Sequence, residues 1–433
     1  MSHSFPGSDD ISRVELPNGI TVLTRENFHS PSVVINGYLH TGSLYEPTGK
    51  LGLANFTVAA LMRGTQRHAF QEIFDALESI GASLRISGGT HTTAFGGQAL
   101  AEDAEVVIDL LAEVLRTPVF PEVQVERLRS QILTGLAIRA HETEAMAQLT
   151  FDQLVYTGHP YGLPEEGFPE TVLEIQKQDL IDFHQQNFGP RGMVIAIVGA
   201  INPDQAINLV NQHLGDWMNP EQPTPPALPP VIPLQELTVR QVVIPGKSQA
   251  DLILGAAGPP RSAPDFVPAN LGNSILGQFG LMGRIGEAVR EKAGLAYYAQ
   301  SNLSGGLGPG PWDVSAGVDP NNVERTINLI QAEIRHFIRE LVSVEELEDV
   351  QAQFIGSLPL SLESNFGVAS ALVNLERHQL GLDYYRNYTA MIKAVTREDV
   401  LSAACHYLDP DRLGVAVAGP EVDGGGYEPD HGG

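Results

Sequence analysis

Apolar and polar positions along this chain follow two periods. Residues 14–25 and 32–40 alternate or run β-branched, which predicts strands that pair with each other. Residues 55–62, 72–80, 104–115 and 123–139 repeat apolar side chains at spacings of three and four, as helices with one buried stripe do. Residues 178–187 predict a further helix, Gly189-Pro190 a turn, and 193–198 a strand. Helices interleaved with sheet strands predict a layered α+β domain.

The pattern occurs twice. Glu105, Ile108, Leu110, Val125, Glu126 and Leu128 fall on Glu324, Ile327, Leu329, Val344, Glu345 and Leu347 at one offset. With one residue more, Asp179, Pro190, Ala196 and Gly199 fall on Asp399, Pro410, Ala416 and Gly419. A repeat this long means a duplicated domain rather than a solenoid. Between the copies stand Pro220, Pro223, Pro225, Pro226, Pro229, Pro230 and Pro233. Proline fixes φ and removes backbone donors, so this stretch is an extended, stiff linker, serving as a rigid spacer or a hinge. The chain thus divides into 10–215, a linker 216–235, 236–421, and a Gly-rich tail 422–433.

Composition narrows the function. The 433 residues carry 52 acidic against 26 basic side chains, a net charge of −26 at pH 7. Such a surface repels phosphate backbones and anionic membranes, so neither nucleic acid nor membrane is an expected partner. It serves solubility, or lines a negative chamber that attracts basic peptides. The most apolar stretch, 193–201, is too short to cross a bilayer, which takes about 20 residues. Cys405 is the single cysteine, expected on an apolar helix face as a small hydrophobe. The first ten residues lack the basic and apolar regions of a signal peptide, so a cytoplasmic location is expected.

Candidate chemistry begins at residues 52–65, Gly-Leu-Ala-Asn-Phe-Thr-Val-Ala-Ala-Leu-Met-Arg-Gly-Thr. This run resembles, without a gap, the stretch around the inverted zinc motif (His-x-x-Glu-His) of the pitrilysin/insulinase metallopeptidases, usually close to Gly-Leu-Ala-His-Phe-Leu-Glu-His-Met-Leu-Phe-Lys-Gly-Thr. Asn55, Val58 and Ala59 stand where the family has its two histidine ligands and general base. Counting the family's spacing from Ala59 to its third ligand, a glutamate, reaches Gly135. A ligand must present a nitrogen, sulfur or carboxylate lone pair and a base must take a proton. Valine, alanine and glycine do neither, and an asparagine amide is a poor substitute. No zinc bound by this chain is expected. His141, Glu142 and Glu144 form a charged cluster at a helix end, read as a solvated face. His91, in Gly-Gly-Thr-His-Thr-Thr, is expected on a strand without a partner at ligand spacing. His159, in a His-Pro-Tyr-Gly segment similar to one in the family, is read as structural.

Residues 283–297, Gly-Arg-Ile-Gly-Glu-Ala-Val-Arg-Glu-Lys-Ala-Gly-Leu-Ala-Tyr, resemble the C-terminal-domain signature of the same family, Arg-Glu-Lys-x-Gly-Leu-Ala-Tyr. Arg290 and Tyr297 fall on its arginine/tyrosine pair, which the resemblance places beside the scissile bond. Guanidinium offers fixed donors to peptide carbonyls, and a phenol can donate to a developing oxyanion. From the residues alone, Arg290 also reads as a surface helix residue and Tyr297 as the start of a buried strand. Gly294 is expected to end the helix between them. The glycines around 277–286 and 305–310 are read as flexible loops.

The resemblance implies two homologous domains, each an antiparallel sheet packed with helices, in the clam-shell arrangement of the mitochondrial processing peptidase. In the family's two-subunit branch one chain holds zinc and the other supplies the arginine/tyrosine pair. The expected role is therefore the non-catalytic, substrate-binding subunit of a heterodimeric zinc peptidase that cuts peptides or unfolded segments, with a zinc-motif homologue as partner. The alternative is an inactive scaffold or peptide-binding homologue.

Overall fold

The computed structural model describes residues 5–421, so the Gly-rich tail 422–433 lies outside the described residues. Strands β1 (Ser12–Glu15), β2 (Thr21–Glu26), β3 (Ser32–Leu39), β4 (Ser83–Ser87), β5 (Thr93–Leu100) and β6 (Val194–Gly199) form one sheet in the order β1-β2-β6-β3-β5-β4. Strands β7 (Thr238–Val243), β8 (Ala250–Ala257), β9 (Ala296–Gly305), β10 (Pro309–Val318) and β11 (Gly414–Gly419) form a second, β7-β11-β8-β10-β9. Both sheets are antiparallel apart from one parallel pair each, β2 with β6 and β7 with β11. The repeat read from sequence is thus a repeated topology.

Two strand expectations need correction. Residues 14–25 are not one strand: β1 and β2 are separated by a turn closed by Gly19, at φ +89°. Nor do β2 and β3 pair, because β6 returns from far along the chain and inserts between them. His91 lies in the 88–92 connection between β4 and β5, not on a strand.

Alternate residues of the first sheet build two cores. Val22, Val33, Ile35, Ile195 and Ile197 pack toward helices Ala104–Arg116 and Pro203–Leu214. Leu23, Val34, Tyr38, Val194, Ala196 and Val198 pack against Val368, Ala369 and Leu372 of helix Asn365–Arg377. With both faces covered, all of β6 is buried, which explains its continuous apolar run. In the second sheet, Ile253, Ala416 and Ala418 pack against Ala147, Phe151 and Val155 of helix Thr143–Val155. Helices Phe266–Gly277 and Val323–Phe337 also contact that sheet.

The compact units therefore do not follow a linear split at the linker. Among the described residues, one comprises 5–136, 164–227 and 357–388; the other comprises 137–163, 228–356 and 389–421. Each repeat lends one sheet-covering helix to the other unit. A sheet buried on one face only would leave an apolar surface exposed, and the exchanged helix removes it. The linker residues 218–235 form no regular element, and Gln222 fixes their start through Arg191, accepting from its backbone N–H at 3.0 Å.

Candidate functional site

The zinc-motif segment keeps its shape. Gly52 enters helix Leu53–Ala60 at φ +92°, where a Cβ would sit 2.6 Å from the Glu166 carbonyl oxygen. Glu46 Oε1 accepts from the Ala54 backbone N–H at 2.8 Å, closing the helix start. Burial pushes the Glu46 carboxyl up to about 7, opposed by the Ala54 and Gly52 backbone N–H groups and reinforced by Glu165.

Along this helix Val58 is buried, Asn55 half-buried and Ala59 exposed. Gly135 lies on the exposed side of helix Glu122–Arg139, where a Cβ would meet nothing within 4 Å. The two helices touch through Arg129, whose guanidinium lies 5.3 Å from the Phe56 ring centroid. Among the described residues no group of three His, Cys, Asp or Glu side chains could hold a metal ion. The donor set left at these positions, one amide, does not fit zinc.

In the other unit, the short helix Phe279–Ile285 runs into a π-helical turn, Gly286–Lys292, which carries Arg290. Gly294, at φ +64°, ends it: its N–H donates to the Arg290 carbonyl at 3.1 Å, and Leu295 N–H to the Val289 carbonyl at 3.0 Å. The Arg290 side chain is 38% exposed, with Nε 3.6 Å from Glu291 Oε1. Tyr297 is 65% exposed, so the sequence alternative of a buried strand opening fails. Ala296 pairs with Val318 and Tyr298 with Gly317, which leaves Tyr297 as the extra residue of a β-bulge. A bulge turns a side chain out of the strand's alternation, a device common beside active sites.

The glycines beside this segment are not all loop residues. A Cβ at Gly277 would lie 2.2 Å from the Ser301 backbone nitrogen, so helix Phe266–Gly277 meets β9 by close approach.

Several polar residues of this unit escaped sequence reasoning. Buried Asp251 on β8 accepts from the Tyr298 hydroxyl and Gln249 amide, each at 2.8 Å, and from the Thr143 hydroxyl. Asp152 and Asp313 are pushed up by burial to about 7 and about 6, each holding one amide donor, from Gln148 and Asn302 respectively. A cavity of about 760 Å³ opens beside them, lined by Glu142, Glu144, Lys247, Tyr298 and Gln300 among others. The one available signal was an aspartate opening the apolar run of β8.

His159 is buried between the Tyr156 and Tyr161 rings, and its Nδ1 accepts from the Tyr161 backbone N–H at 3.1 Å. Burial lowers its pKa, which keeps the ring neutral. Cys405 is exposed rather than packed in a core, and its thiol donates to the Ile338 carbonyl at 3.1 Å. No described helix is long and apolar enough to cross a membrane.

Comparison with known proteins agrees with the fold. The family described as Insulinase (Peptidase family M16) matches residues 21–164, and the Peptidase M16 inactive domain matches residues 174–354. An uncharacterized zinc protease of Mycobacterium leprae is 26% identical over 95% of this chain and 92% of its own. The mitochondrial-processing peptidase subunit beta of Saccharomyces cerevisiae is 25% identical over 85% of this chain and 81% of its own. Among solved structures, a peptidase M16 inactive domain from Pseudomonas fluorescens superimposes with a TM-score of 0.86 at 25% identity, covering 95% of this chain and 99% of that one. A protease from Helicobacter pylori shares the fold, with a TM-score of 0.88 at 18% identity, covering 96% of this chain and 100% of the other. The two domain matches together span most of the chain, and it belongs to the insulinase (M16) peptidase family as a member without the zinc motif.

Proposed function

We propose that this chain is the non-catalytic, substrate-binding subunit of a heterodimeric zinc peptidase, presenting Arg290 and Tyr297 to a partner's active site. The observation that carries this reading is the asymmetry between the two motifs. The zinc positions hold Asn55, Val58, Ala59 and Gly135, which cannot supply a metal site. The arginine/tyrosine segment is complete, with both side chains accessible from folded elements. The partner, a homologue with an intact zinc motif, supplies the metal. Arg290 donates to a substrate carbonyl, and the Tyr297 hydroxyl donates to the oxygen on which charge develops. That one relative is by name a subunit favours an assembly over a lone chain.

The test is reconstitution. Alone, the chain should bind no stoichiometric zinc and cut nothing. With a zinc-motif homologue from the same genome it should form a dimer that degrades peptides. Arg290→Ala and Tyr297→Phe should each lower kcat, for the loss of one preorganised donor, by about a hundredfold with the dimer intact. Full activity from the partner alone would instead favour a scaffold, and unchanged rates in both variants would remove the pair from the mechanism.

A further inference from the structure

The surviving motif contains a second arginine that the proposed function leaves unused. Arg284 lies near the end of helix Phe279–Ile285, just before the π-helical turn. Its Nε lies 2.7 Å from Glu346 Oε1, and its Nη2 lies 2.7 Å from Glu346 Oε2. This fork-to-fork geometry fixes direction as well as distance. The guanidinium carbon also lies 5.6 Å from the Phe337 ring centroid.

Glu346 is itself held. Its Oε2 accepts from the Ser343 backbone N–H at 2.7 Å, while its own N–H donates to Ser343 Oγ at 3.0 Å. That reciprocal pair caps helix Val344–Ser361. The Arg284 hydrogen bond, above the other contributions, pulls the Glu346 carboxyl down to about 2, so the pair stays charged at any working pH.

The remaining guanidinium nitrogen, Nη1, is buried with no hydrogen-bond partner among the described residues. Arg284 borders a cavity of about 340 Å³ whose lining includes Glu287 and Glu291, both on the turn that carries Arg290. Ile275, Phe279 and Val350 also line this space, which is apolar over most of its surface apart from these charged groups.

A π-helical turn needs such support. It is rare, it occurs mostly as single turns at functional sites, and Gly286 at its start adds backbone freedom. We propose that Arg284 and Glu346 are positioning residues that clamp the Gly286–Lys292 turn to helix Val344–Ser361 and so fix the direction of Arg290. The inference rests on the role given to Arg290 above.

The test uses the reconstituted dimer, measuring kcat and KM for Arg284→Met, Glu346→Gln, Arg290→Ala and the double variant Arg284→Met/Arg290→Ala. Glu346→Gln preserves side-chain shape and serves where Arg284→Met folds poorly. Each clamp variant should lower kcat by about tenfold with KM within about twofold, because a small misplacement of a reacting group is enough. In the Arg290→Ala background, Arg284→Met should have no further effect. A drop of the same size in both backgrounds, with Arg290→Ala itself impaired, overturns the clamp and leaves the proposed function standing. A silent Arg290→Ala overturns the clamp together with the role given to Arg290. In the isolated chain, Glu346→Gln should also speed amide hydrogen exchange across 286–292 by about tenfold while strand protection is unchanged; unaltered exchange there overturns the clamp.

Discussion

Glu46 makes the stability of the first unit depend on pH. Its carboxyl sits at the start of helix Leu53–Ala60, and burial lifts it to about 7 against 4.5 for an exposed glutamate. One pH unit corresponds to 1.36 kcal/mol, so holding the charged form in place costs about 3 kcal/mol. The sign follows from proton binding. Between about pH 4.5 and 7 the folded chain holds a proton at Glu46 that the unfolded chain has released. Stability therefore falls as pH rises through that window and levels off above it. Between pH 5.5 and 8 the loss from this one group is about 2 kcal/mol.

Glu46→Gln removes the titration but retains a carbonyl oxygen for the Ala54 N–H. Urea denaturation of wild type and variant at both pH values isolates the effect, because Asp152, Asp313 and every other buried acid is common to the two proteins. The variant should gain about 2 kcal/mol on wild type in going from pH 5.5 to 8. An identical difference at both pH values would refute the assignment of the raised carboxyl to Glu46.

Two further outcomes follow. Val58→Glu restores the residue type of the family's general base at a site that is 2% exposed, with no ligands around it. It should destabilise the chain by about 2–4 kcal/mol in denaturant titration without conferring zinc uptake; a stable variant that binds zinc would contradict the reading of this helix. Cys405 should react stoichiometrically with a thiol reagent in the native state, and reaction only after unfolding would contradict its exposure.

What was legible in the sequence depended on where the deciding contact lay. Helices Ala104–Arg116, Glu122–Arg139 and Lys177–Asn187 and strand β6 each carry a local periodicity or a continuous apolar run, and were readable within a residue or two. The place of β6 between β2 and β3 was not, because a parallel pairing across so much chain leaves no local trace. The exchange of helices Thr143–Val155 and Asn365–Arg377 was hidden for a similar reason: an apolar stripe states that a face is covered, not by which sheet. Hence Asp251 and Asp152 were missed, since Thr143 and the β10 carboxylate that surround them come from the other repeat. Cys405 failed by one step of helix rotation. Helix Arg397–Tyr407 buries Val400, Ala403 and Ala404, and the next residue turns about 100° away from that stripe. The alternative of Tyr297 as a buried strand opening failed by one inserted residue, since strict alternation takes no account of a bulge.

The same distinction explains how a family resemblance outlasts its chemistry. In residues 52–65 the positions that match the family pattern are Gly52, Leu53, Ala54, Phe56, Leu61, Gly64 and Thr65, and every one is buried. Phe56 supports the Arg129 guanidinium, and Thr65 donates to Glu113, which also binds Arg67 and His68. Truncating Leu53, Phe56 or Leu61 leaves a cavity, losing the Thr65 hydroxyl leaves an unpaired polar group, and a side chain at Gly52 would meet the Glu166 carbonyl. Asn55, Ala59 and Gly135 face more open surroundings, so replacing a ligand there costs the fold little once no metal is held. Val58 is the exception that follows from the same physics. Its site is buried, and without a metal and its ligands nearby, a carboxylate there loses hydration and gains no partner, whereas valine gains burial. Core packing thus retains the frame, and desolvation favours removal of the base.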